Sequence, residues 1–154
     1  MGSILSIDVG TTNIKAPLVD EAGRLYRDAR NVGTNIEGDA SGRAEHDPHK
    51  LHAALFEVCR QAIGDRGADV ELLSLTSYQF GLVLADKDGA PLTKISTFVD
   101  TTAQSHHPRF LEAIGDIDAM YRRTGCPPIF QYPANRLHHI HATHPEIAER
   151  TAHV

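Results

Sequence analysis

Cysteines are scarce in the 154-residue chain, which has two of them, Cys59 and Cys126. Neither belongs to a C-x-x-C pair of the kind that binds zinc, and no secretion signal precedes them, so we expect two reduced thiols rather than a disulfide. Long apolar runs are missing as well, since none approaches the roughly 20 residues that a membrane-spanning helix needs. These absences predict a cytoplasmic protein with no membrane partner.

Positive charge is also in short supply. The chain carries 20 acidic against 15 basic residues, for a net charge of -5, and the basic residues form no stripe that would neutralise a phosphate backbone. We therefore expect no nucleic-acid partner. What remains is the composition of a globular protein, long enough for one domain with a continuous core.

The first half of the sequence predicts three adjacent antiparallel strands, a helix and a fourth strand. The first two strands flank a tight Gly-Thr-Thr turn, and a second turn precedes the third strand. A Gly- and Asp-rich loop leads to Asp47, a helix cap, and to Pro48, which favours the first helical position. A near-continuous apolar run predicts that the fourth strand is covered on both faces, as in a parallel pairing. The predicted elements are strands at 3–8, 13–19, 24–32 and 70–77, and a helix from 48 to about 64.

Weaker patterns follow. An Asp-Lys-Asp-Gly turn between apolar runs predicts a hairpin, and Pro127 and Pro128 separate two predicted helices. The predicted elements are a hairpin at 81–92, a short strand at 95–99, helices near 109–123 and 134–143, and a last short helix at the end. Because the chain stops inside an organised segment, we expect it to be truncated.

The most informative stretch is Asp8-Val9-Gly10-Thr11-Thr12. Main-chain N–H groups in a tight Gly-Thr-Thr turn converge on an anion, threonine hydroxyls add donors, and the preceding aspartate suits a divalent cation. This combination matches the phosphates of a nucleotide with Mg²⁺. An ordinary hairpin with polar turn residues would have the same sequence, and the stretch has no Walker lysine. The residues alone therefore leave open whether this is a phosphate-binding turn or an ordinary hairpin.

The same stretch, with Lys15 three residues later, resembles the first phosphate motif of the FGGY family of carbohydrate kinases, which have the actin-like ATPase fold. Four later segments resemble further motifs of that family, in the same order. "GRAEHDP" resembles the family's Gly-x-x-Glu-Gln-Asp-Pro motif, with His46 in place of the glutamine, and "TSYQFGLVLADKDGAPL" resembles its strand, substrate loop and hairpin. "ISTFVDTTAQ" resembles its Trp-x-Asp-x-Arg segment, and "HPEIAERTA" resembles its Pro-Glu-x-x-x-Arg-Thr helix. The five matches span nearly the whole chain.

The resemblance implies an α/β fold, an actin-like ATPase (ribonuclease H-like) domain with a mixed sheet and a helical insertion. It implies ATP and Mg²⁺ as cofactors and a sugar or polyol as substrate. The implied nucleotide-binding residues are Asp8, Gly10, Thr11, Thr12 and Lys15, with Asp8 also the metal ligand. The implied substrate-binding residues are Tyr78, Gln79, Phe80 and Asp100.

The resemblance also implies that residues 1–154 are a partial N-terminal domain, without the second domain and without the final strand of the first. The family's catalytic aspartate would lie beyond position 154, so no catalytic residue is expected within the chain. We therefore expect the chain alone to be inactive as a carbohydrate kinase. A sheet left one strand short would also expose an edge through which copies of the chain associate.

Departures from the family pattern leave the sugar open. Tyr78 stands where many members carry Gln, and Phe80 where xylulose kinases carry His. Phe98 replaces the usual tryptophan and Thr102 the arginine, whereas Asp100 keeps the aspartate. Tyr78 and Phe80 could also simply fill a core, and Asp100 could cap a following helix instead of gripping a polyol.

Two further groups of residues have competing interpretations. His138, His141 and His144 recur every three residues, a spacing that suits zinc and equally suits a solvated helical edge. Glu45 and Asp47 form a carboxylate pair of the kind that could serve acid–base catalysis, although Asp47 is better explained as a helix cap. For the whole chain, the alternative to a kinase is an actin-like module kept for structure or assembly.

Overall fold

The computed structural model describes residues 2–154, apart from the side chains of Arg27 and Asp28. The chain forms two compact units. Unit 1 contains the residues up to 36 and residues 46–79, and unit 2 contains residues 37–45 and 80–154. The strands are β1 Ser3–Val9, β2 Asn13–Val19, β3 Leu25–Gly33, β4 Glu37–Gly38, β5 Ala44–His46, β6 Val70–Ser77 and β7 Ile95–Ser96. The helices are α1 Pro48–Ile63, α2 His107–Ile114, α3 Ile117–Thr124, α4 Pro133–Thr143 and α5 Pro145–Arg150.

Unit 1 is a mixed four-stranded sheet in the order β3-β2-β1-β6. β1 pairs antiparallel with β2, β2 antiparallel with β3, and β1 parallel with β6. These pairings confirm the three predicted antiparallel strands and the predicted parallel partner. Alternate side chains of β1 and β2 are buried because one face of the sheet forms the core.

Helix α1 covers that buried face. The Asp47 carboxylate caps its first turn by accepting hydrogen bonds from the amides of His49 at 2.8 Å and Lys50 at 3.1 Å. Val58 and Ala62 are fully buried against the strands. The predicted cap and start are therefore confirmed, and loss of such a cap typically costs about 1 kcal/mol of stability.

Strand β6 differs from the prediction that both of its faces are covered. Leu72, Leu73 and Leu75 are 54%, 64% and 66% exposed. Leu73 lies opposite Leu5 on the helix side of the sheet, but α1 packs over β2, β3 and β1 instead. Among the described residues, no strand pairs with the outer edge of β6. The apolar run thus predicted the strand and its parallel pairing correctly. The prediction that both faces of this strand are covered was wrong for this chain.

Unit 2 contains a small sheet in the order β4-β5-β7 and four helices. Strands β4 and β5 lie within the segment predicted as loop. The predicted hairpin is reduced to single bridges such as Ala85 with Pro91, and the predicted strand at 95–99 is limited to β7. The predicted helix near 109–123 is two helices, because Gly115 adopts a φ of 73° and Asp116 caps a new helix by accepting from Ala119 N.

The helices within residues 2–154 are short. The longest helix, α1, has 16 residues. Within these residues, no helix has both the length and the apolar character needed to cross a bilayer.

Candidate functional site

The turn between β1 and β2, residues 10–12, is named the phosphate turn here. Gly10 N donates to Asn13 O at 2.9 Å, and a side-chain Cβ at Gly10 would lie 2.8 Å from that same oxygen. Thr34 anchors the turn from the end of β3: its hydroxyl donates to Thr11 O at 2.7 Å and its amide to Thr12 O at 2.9 Å. Thr34 therefore fixes the positions of the Thr11 and Thr12 carbonyls.

The donors of the phosphate turn remain available. Within the described residues, the amides of Thr11 and Thr12 donate to no backbone carbonyl. Thr12 is exposed and Thr11 is half-buried. Asp8 and Lys15 are exposed and lie opposite each other on β1 and β2, on the sheet face away from α1. An exposed carboxylate, an exposed lysine and two amides without a backbone acceptor thus lie around one glycine turn, a set of groups that fits a metal-bound polyphosphate.

A buried histidine packs against Tyr78 in unit 1. His46 is 2% exposed, its Nδ1 lies 3.1 Å from the Tyr78 hydroxyl, and the two rings meet edge to face. Burial lowers the pKa of His46, while the main chain of Thr11 acts in the opposite direction. Burial also raises the pKa of Tyr78, whose amide donates to Val9 O at 2.9 Å. Tyr78, expected on the sugar side, is therefore connected to the region of the phosphate turn.

In unit 2, Phe80 adopts a left-handed backbone conformation with φ of 62°. This is a strained region for a bulky residue, with a typical cost of about 1–3 kcal/mol. Its ring packs edge to face on Tyr132, with 5.0 Å between centroids. A strained aromatic residue in the predicted substrate loop is the kind of feature found at binding sites.

Arg136 fixes this loop from α4. It is 3% exposed and donates to Phe80 O at 2.5 Å, Thr97 O at 2.5 Å and Asp100 O at 3.3 Å. Burial lowers the pKa of Arg136, while the nearby Asp100 acts in the opposite direction. The sequence analysis missed this residue. The available signal was an arginine inside the helix predicted at 134–143, which does not reveal that the side chain turns inward.

The Asp100 carboxylate is engaged by protein donors. It is 1% exposed; Oδ2 accepts from Ala44 N at 2.9 Å, and Oδ1 accepts from Thr102 N at 3.1 Å and from the Thr102 hydroxyl at 2.5 Å. These bonds hold the turn that follows Asp100. They do not cap a helix, because the 3₁₀ segment Gln104–His106 begins after Ala103 and has no side-chain cap. The predicted contact of Asp100 with a polyol would require these bonds to open, and stays a prediction.

The predicted sugar residues are divided between the two units. Tyr78 and the exposed Gln79 end unit 1, whereas Phe80 and Asp100 belong to unit 2. Within unit 2, Arg136 joins the main chains of Phe80 and Asp100. Within unit 1, all five predicted nucleotide residues lie on β1, β2 or the turn between them.

The histidines form a cluster of their own in unit 2. His106 Nε2 lies 2.7 Å from His138 Nδ1, and the His139 ring is 5.1 Å from that of His106. Burial, followed by the charges of His139, His138 and Arg109, lowers the pKa of His106. Among the described residues, no three His, Cys, Asp or Glu side chains are grouped so that they could hold a metal ion. His141 and His144 are exposed, as a solvated helical edge would be.

Comparison with curated proteins identifies kinases. The chain is 25% identical over 146 residues to the gluconokinase of Bacillus licheniformis, covering 94% of this chain and 28% of that protein. It is 31% identical over 142 residues to the apulose kinase of Pectobacterium atrosepticum, covering 88% of this chain and 27% of that protein. The chain thus spans less than a third of the length of these relatives.

Solved structures have the same fold. The xylulose kinase of Lactobacillus acidophilus matches with a TM-score of 0.87 at 24% identity, over 98% of this chain and 30% of its own. The gluconate kinase of the same organism matches with a TM-score of 0.86 at 25% identity, over 97% and 30%. The Plasmodium falciparum glycerol kinase, solved with ADP, matches with a TM-score of 0.81 at 21% identity, over 97% and 30%. The expected actin-like α/β fold with a mixed sheet is confirmed.

The family assignment rests on the sequence as well as on the fold. The family model described as the FGGY family of carbohydrate kinases, N-terminal domain, matches residues 3–154. The open phosphate turn and the order of the later motifs agree with this match. This chain belongs to the FGGY family of carbohydrate kinases and matches its N-terminal domain.

Proposed function

We propose that this chain is the N-terminal part of an ATP-dependent kinase that phosphorylates a hydroxyl of a sugar or polyol. The observation that carries the proposal is the open phosphate turn, with unengaged Thr11 and Thr12 amides beside an exposed aspartate and lysine. Phosphoryl transfer needs positioned phosphates and a neutralising cation more than covalent chemistry from the protein. The chain's own contribution is therefore to bind and orient.

On the nucleotide side, Gly10, Thr11 and Thr12 would hold the phosphates of ATP, and Lys15 would add positive charge. Asp8 would hold Mg²⁺, which when bound neutralises the charge of the polyphosphate. A relative of the same fold has been solved with ADP, which supports a nucleotide in this chain. The cytoplasmic location expected from the sequence belongs to the same proposal.

On the acceptor side, Tyr78, Gln79, Phe80 and Asp100 would line the sugar or polyol. The named relatives act on several different acceptors, gluconate and apulose among them by name. Phe80 and Asp100 are held in place by the buried Arg136, which supports a preformed loop. Phe80 itself carries no polar group, so it would shape the acceptor site by packing alone.

No residue of the chain is proposed as the catalytic base. We expect no turnover from the 154-residue chain, because it spans under a third of its relatives, and a base and a closing second domain would come from further sequence. The same chain joined to the sequence encoded downstream of it should phosphorylate at least one sugar or polyol. A screen for ATP-dependent phosphorylation of C3 to C6 sugars, polyols and sugar acids measures this.

Two matched variants of the extended protein, Asp8→Asn and Glu21→Gln, test the proposed role of Asp8. Both remove one exposed carboxylate, but only Asp8 lies beside the phosphate turn. We expect Asp8→Asn to lower kcat/KM at least tenfold and Glu21→Gln to leave it unchanged. If the extended protein phosphorylates no acceptor yet still binds Mg·ATP, the alternative of an actin-like module for structure or assembly replaces the kinase proposal.

A further inference from the structure

The four residues predicted to bind the acceptor offer few free polar groups. The Tyr78 hydroxyl already lies 3.1 Å from His46 Nδ1. The Asp100 carboxylate is buried, and both of its oxygens accept hydrogen bonds from the protein. Phe80 has no polar side-chain atom, so Gln79 alone combines exposure with a polar side chain. A fully hydroxylated sugar would therefore find few hydrogen-bond partners among these four residues.

Phe80 is held in place within unit 2. Its backbone has a φ of 62°, a conformation that a bulky residue adopts only where its surroundings impose it. Two contacts do so. Arg136 Nη1 donates to the Phe80 carbonyl at 2.5 Å, and the Tyr132 ring meets the Phe80 ring edge to face, with 5.0 Å between centroids. The half-buried Phe80 ring is therefore a fixed apolar surface in the predicted substrate loop.

A second apolar surface adjoins this loop. The guanidinium group of Arg136 that holds Phe80 also donates from Nη2 to Thr97 O at 2.5 Å. Thr97 begins a tight turn, which closes at 3.1 Å when the amide three residues later donates to the same carbonyl. The two central residues of that turn, Phe98 and Val99, are 46% and 45% exposed. Apolar side chains thus occupy both segments that Arg136 joins.

Surfaces of this kind distinguish a hydroxyl from a hydrogen or a methyl group. A hydroxyl that packs on an aromatic ring gives up hydrogen bonds to water and gains none in return. A C–H or methyl group in the same position loses nothing and buries apolar area. The discrimination is moderate, because an apolar surface rejects an added hydroxyl by roughly a hundredfold at most.

We propose that the acceptor is a deoxy sugar or a deoxy polyol, and that the carbon without a hydroxyl packs on Phe80. This inference rests on the proposed function for the phosphoryl transfer and adds the class of acceptor. It explains why a strained backbone holds a side chain without polar atoms in the predicted substrate loop. Phe80 is therefore the residue that determines specificity for this class.

The test uses the chain extended by its downstream sequence and acceptor pairs that differ by one oxygen atom. The pairs are glycerol with propane-1,2-diol, D-xylulose with 1-deoxy-D-xylulose, and L-tagatose with 6-deoxy-L-tagatose. In at least one pair, kcat/KM should favour the deoxy member roughly ten- to a hundredfold. A wild-type protein that uses the hydroxylated member equally well or better in every pair would overturn the proposal.

Variants assign the preference to Phe80. Phe80→His, which places a polar ring in the loop, should shift the kcat/KM ratio at least tenfold towards the hydroxylated member, whereas Phe80→Leu stays apolar and should keep the deoxy preference. Phe56→His, at a position of α1 that is 54% exposed, is the matched control and should leave the ratio unchanged. A ratio that Phe80→His does not alter would overturn the role of Phe80.

Calorimetric binding of the same pairs separates this inference from the proposed function. Tighter binding of a deoxy member without any phosphorylation would overturn the kinase proposal and support the class of acceptor. Phosphorylation of hydroxylated members alone would support the kinase proposal and overturn the class of acceptor. Absence of both binding and phosphorylation for every pair would overturn the inference as well.

Discussion

Gly10 shows at the scale of one residue how the phosphate turn depends on backbone shape. The chain reverses there so closely that Gly10 N donates to Asn13 O at 2.9 Å. A Cβ at this position would lie 2.8 Å from that backbone oxygen, which has no flexible side chain to move aside. The turn must therefore widen to admit any other residue.

We expect Gly10→Ala to lower the free energy of unfolding by about 1–3 kcal/mol, the usual cost of forcing atoms into a packed position. Urea unfolding of the 154-residue chain measures the change. Gly67→Ala is the matched control, because its Cβ would meet only the Ile63 side chain at 3.6 Å. Equal stability losses in the two variants would contradict the steric explanation.

Single residues also mark the limit of what the sequence could predict about the site. Asp8 and the Gly-Thr-Thr turn could be predicted as site residues because they are consecutive or nearly consecutive in the sequence. Thr34 and Arg136 were not, because their partners lie 23 and 56 positions away in sequence. His46 was noticed only as a departure from a motif, and nothing local indicated that its ring would be buried against Tyr78.

At the scale of elements, α4 stabilises the predicted substrate loop through Arg136. A neutral side chain there would leave the carbonyls of Phe80, Thr97 and Asp100 without this donor in a buried region. Leaving a buried carbonyl without a donor is costly. Thr97 O would still accept from Asp100 N at 3.1 Å, so the main loss falls on the other two carbonyls. The arginine also offers several planar donors where a lysine offers one point charge.

We expect Arg136→Met to lower the free energy of unfolding by about 2–4 kcal/mol, and Arg136→Lys to recover only part of that loss. Arg122→Met, at an exposed position of α3, should change stability by less than about 0.5 kcal/mol. Thermal unfolding, followed by circular dichroism, makes the comparison. A fully stable Arg136→Met protein would show that the loop holds its shape without this donor.

The histidine cluster predicts how unit 2 responds to acid. The pKa of His106 is lowered by burial first and then by the charges of His139, His138 and Arg109. The pKa of His139 is lowered by burial and by His144, with Asp100 opposing the shift. Below about pH 6.5, where a free histidine takes up a proton, the unfolded chain therefore binds more protons than the folded one.

Stability should thus be complete above about pH 7 and fall as the pH drops from 7 towards 5. The carboxylates with lowered pKa values, such as Asp20 and Glu57, respond only at lower pH. Urea unfolding at pH 5 to 7.5 measures the dependence. His106→Asn, which has no titratable group, should flatten it, and an unchanged slope in that variant would assign the effect to other histidines, such as His46.

Element boundaries were predictable where local chemistry sets them. Asp47 and Pro48 define the start of α1 by capping and by the proline ring, so the sequence suffices. The break between α2 and α3 depends on the positive φ of Gly115, which the weak apolar pattern did not reveal. The exposure of β6 depends on what packs against it, and no local pattern contains that information.

At the scale of the whole molecule, β6 has exposed leucines and an outer edge that no strand within residues 2–154 pairs with. Free edges of this kind pair with other chains unless charge or cover prevents it. We expect concentration-dependent self-association of this chain in analytical ultracentrifugation. Leu73→Lys should leave a monomer, because a charge on the helix side of β6 opposes burial in a second copy.

The control for this experiment is Phe56→Lys. Phe56 is 54% exposed on α1, so the substitution removes a comparable apolar surface away from the strand edge. Self-association should persist in this variant. A wild-type chain that stays monomeric at all concentrations would contradict the expectation drawn from the exposed edge.

The exposed leucines of β6 also matter during biosynthesis. In any longer protein that begins with residues 1–154, β6 leaves the ribosome before the residues that follow it. Translation at roughly 5–20 residues per second would leave Leu72, Leu73 and Leu75 uncovered for on the order of tens of seconds while a few hundred residues are added. A nascent chain in that state is a natural client for chaperones that hold extended, leucine-rich segments, and its yield should depend on their supply.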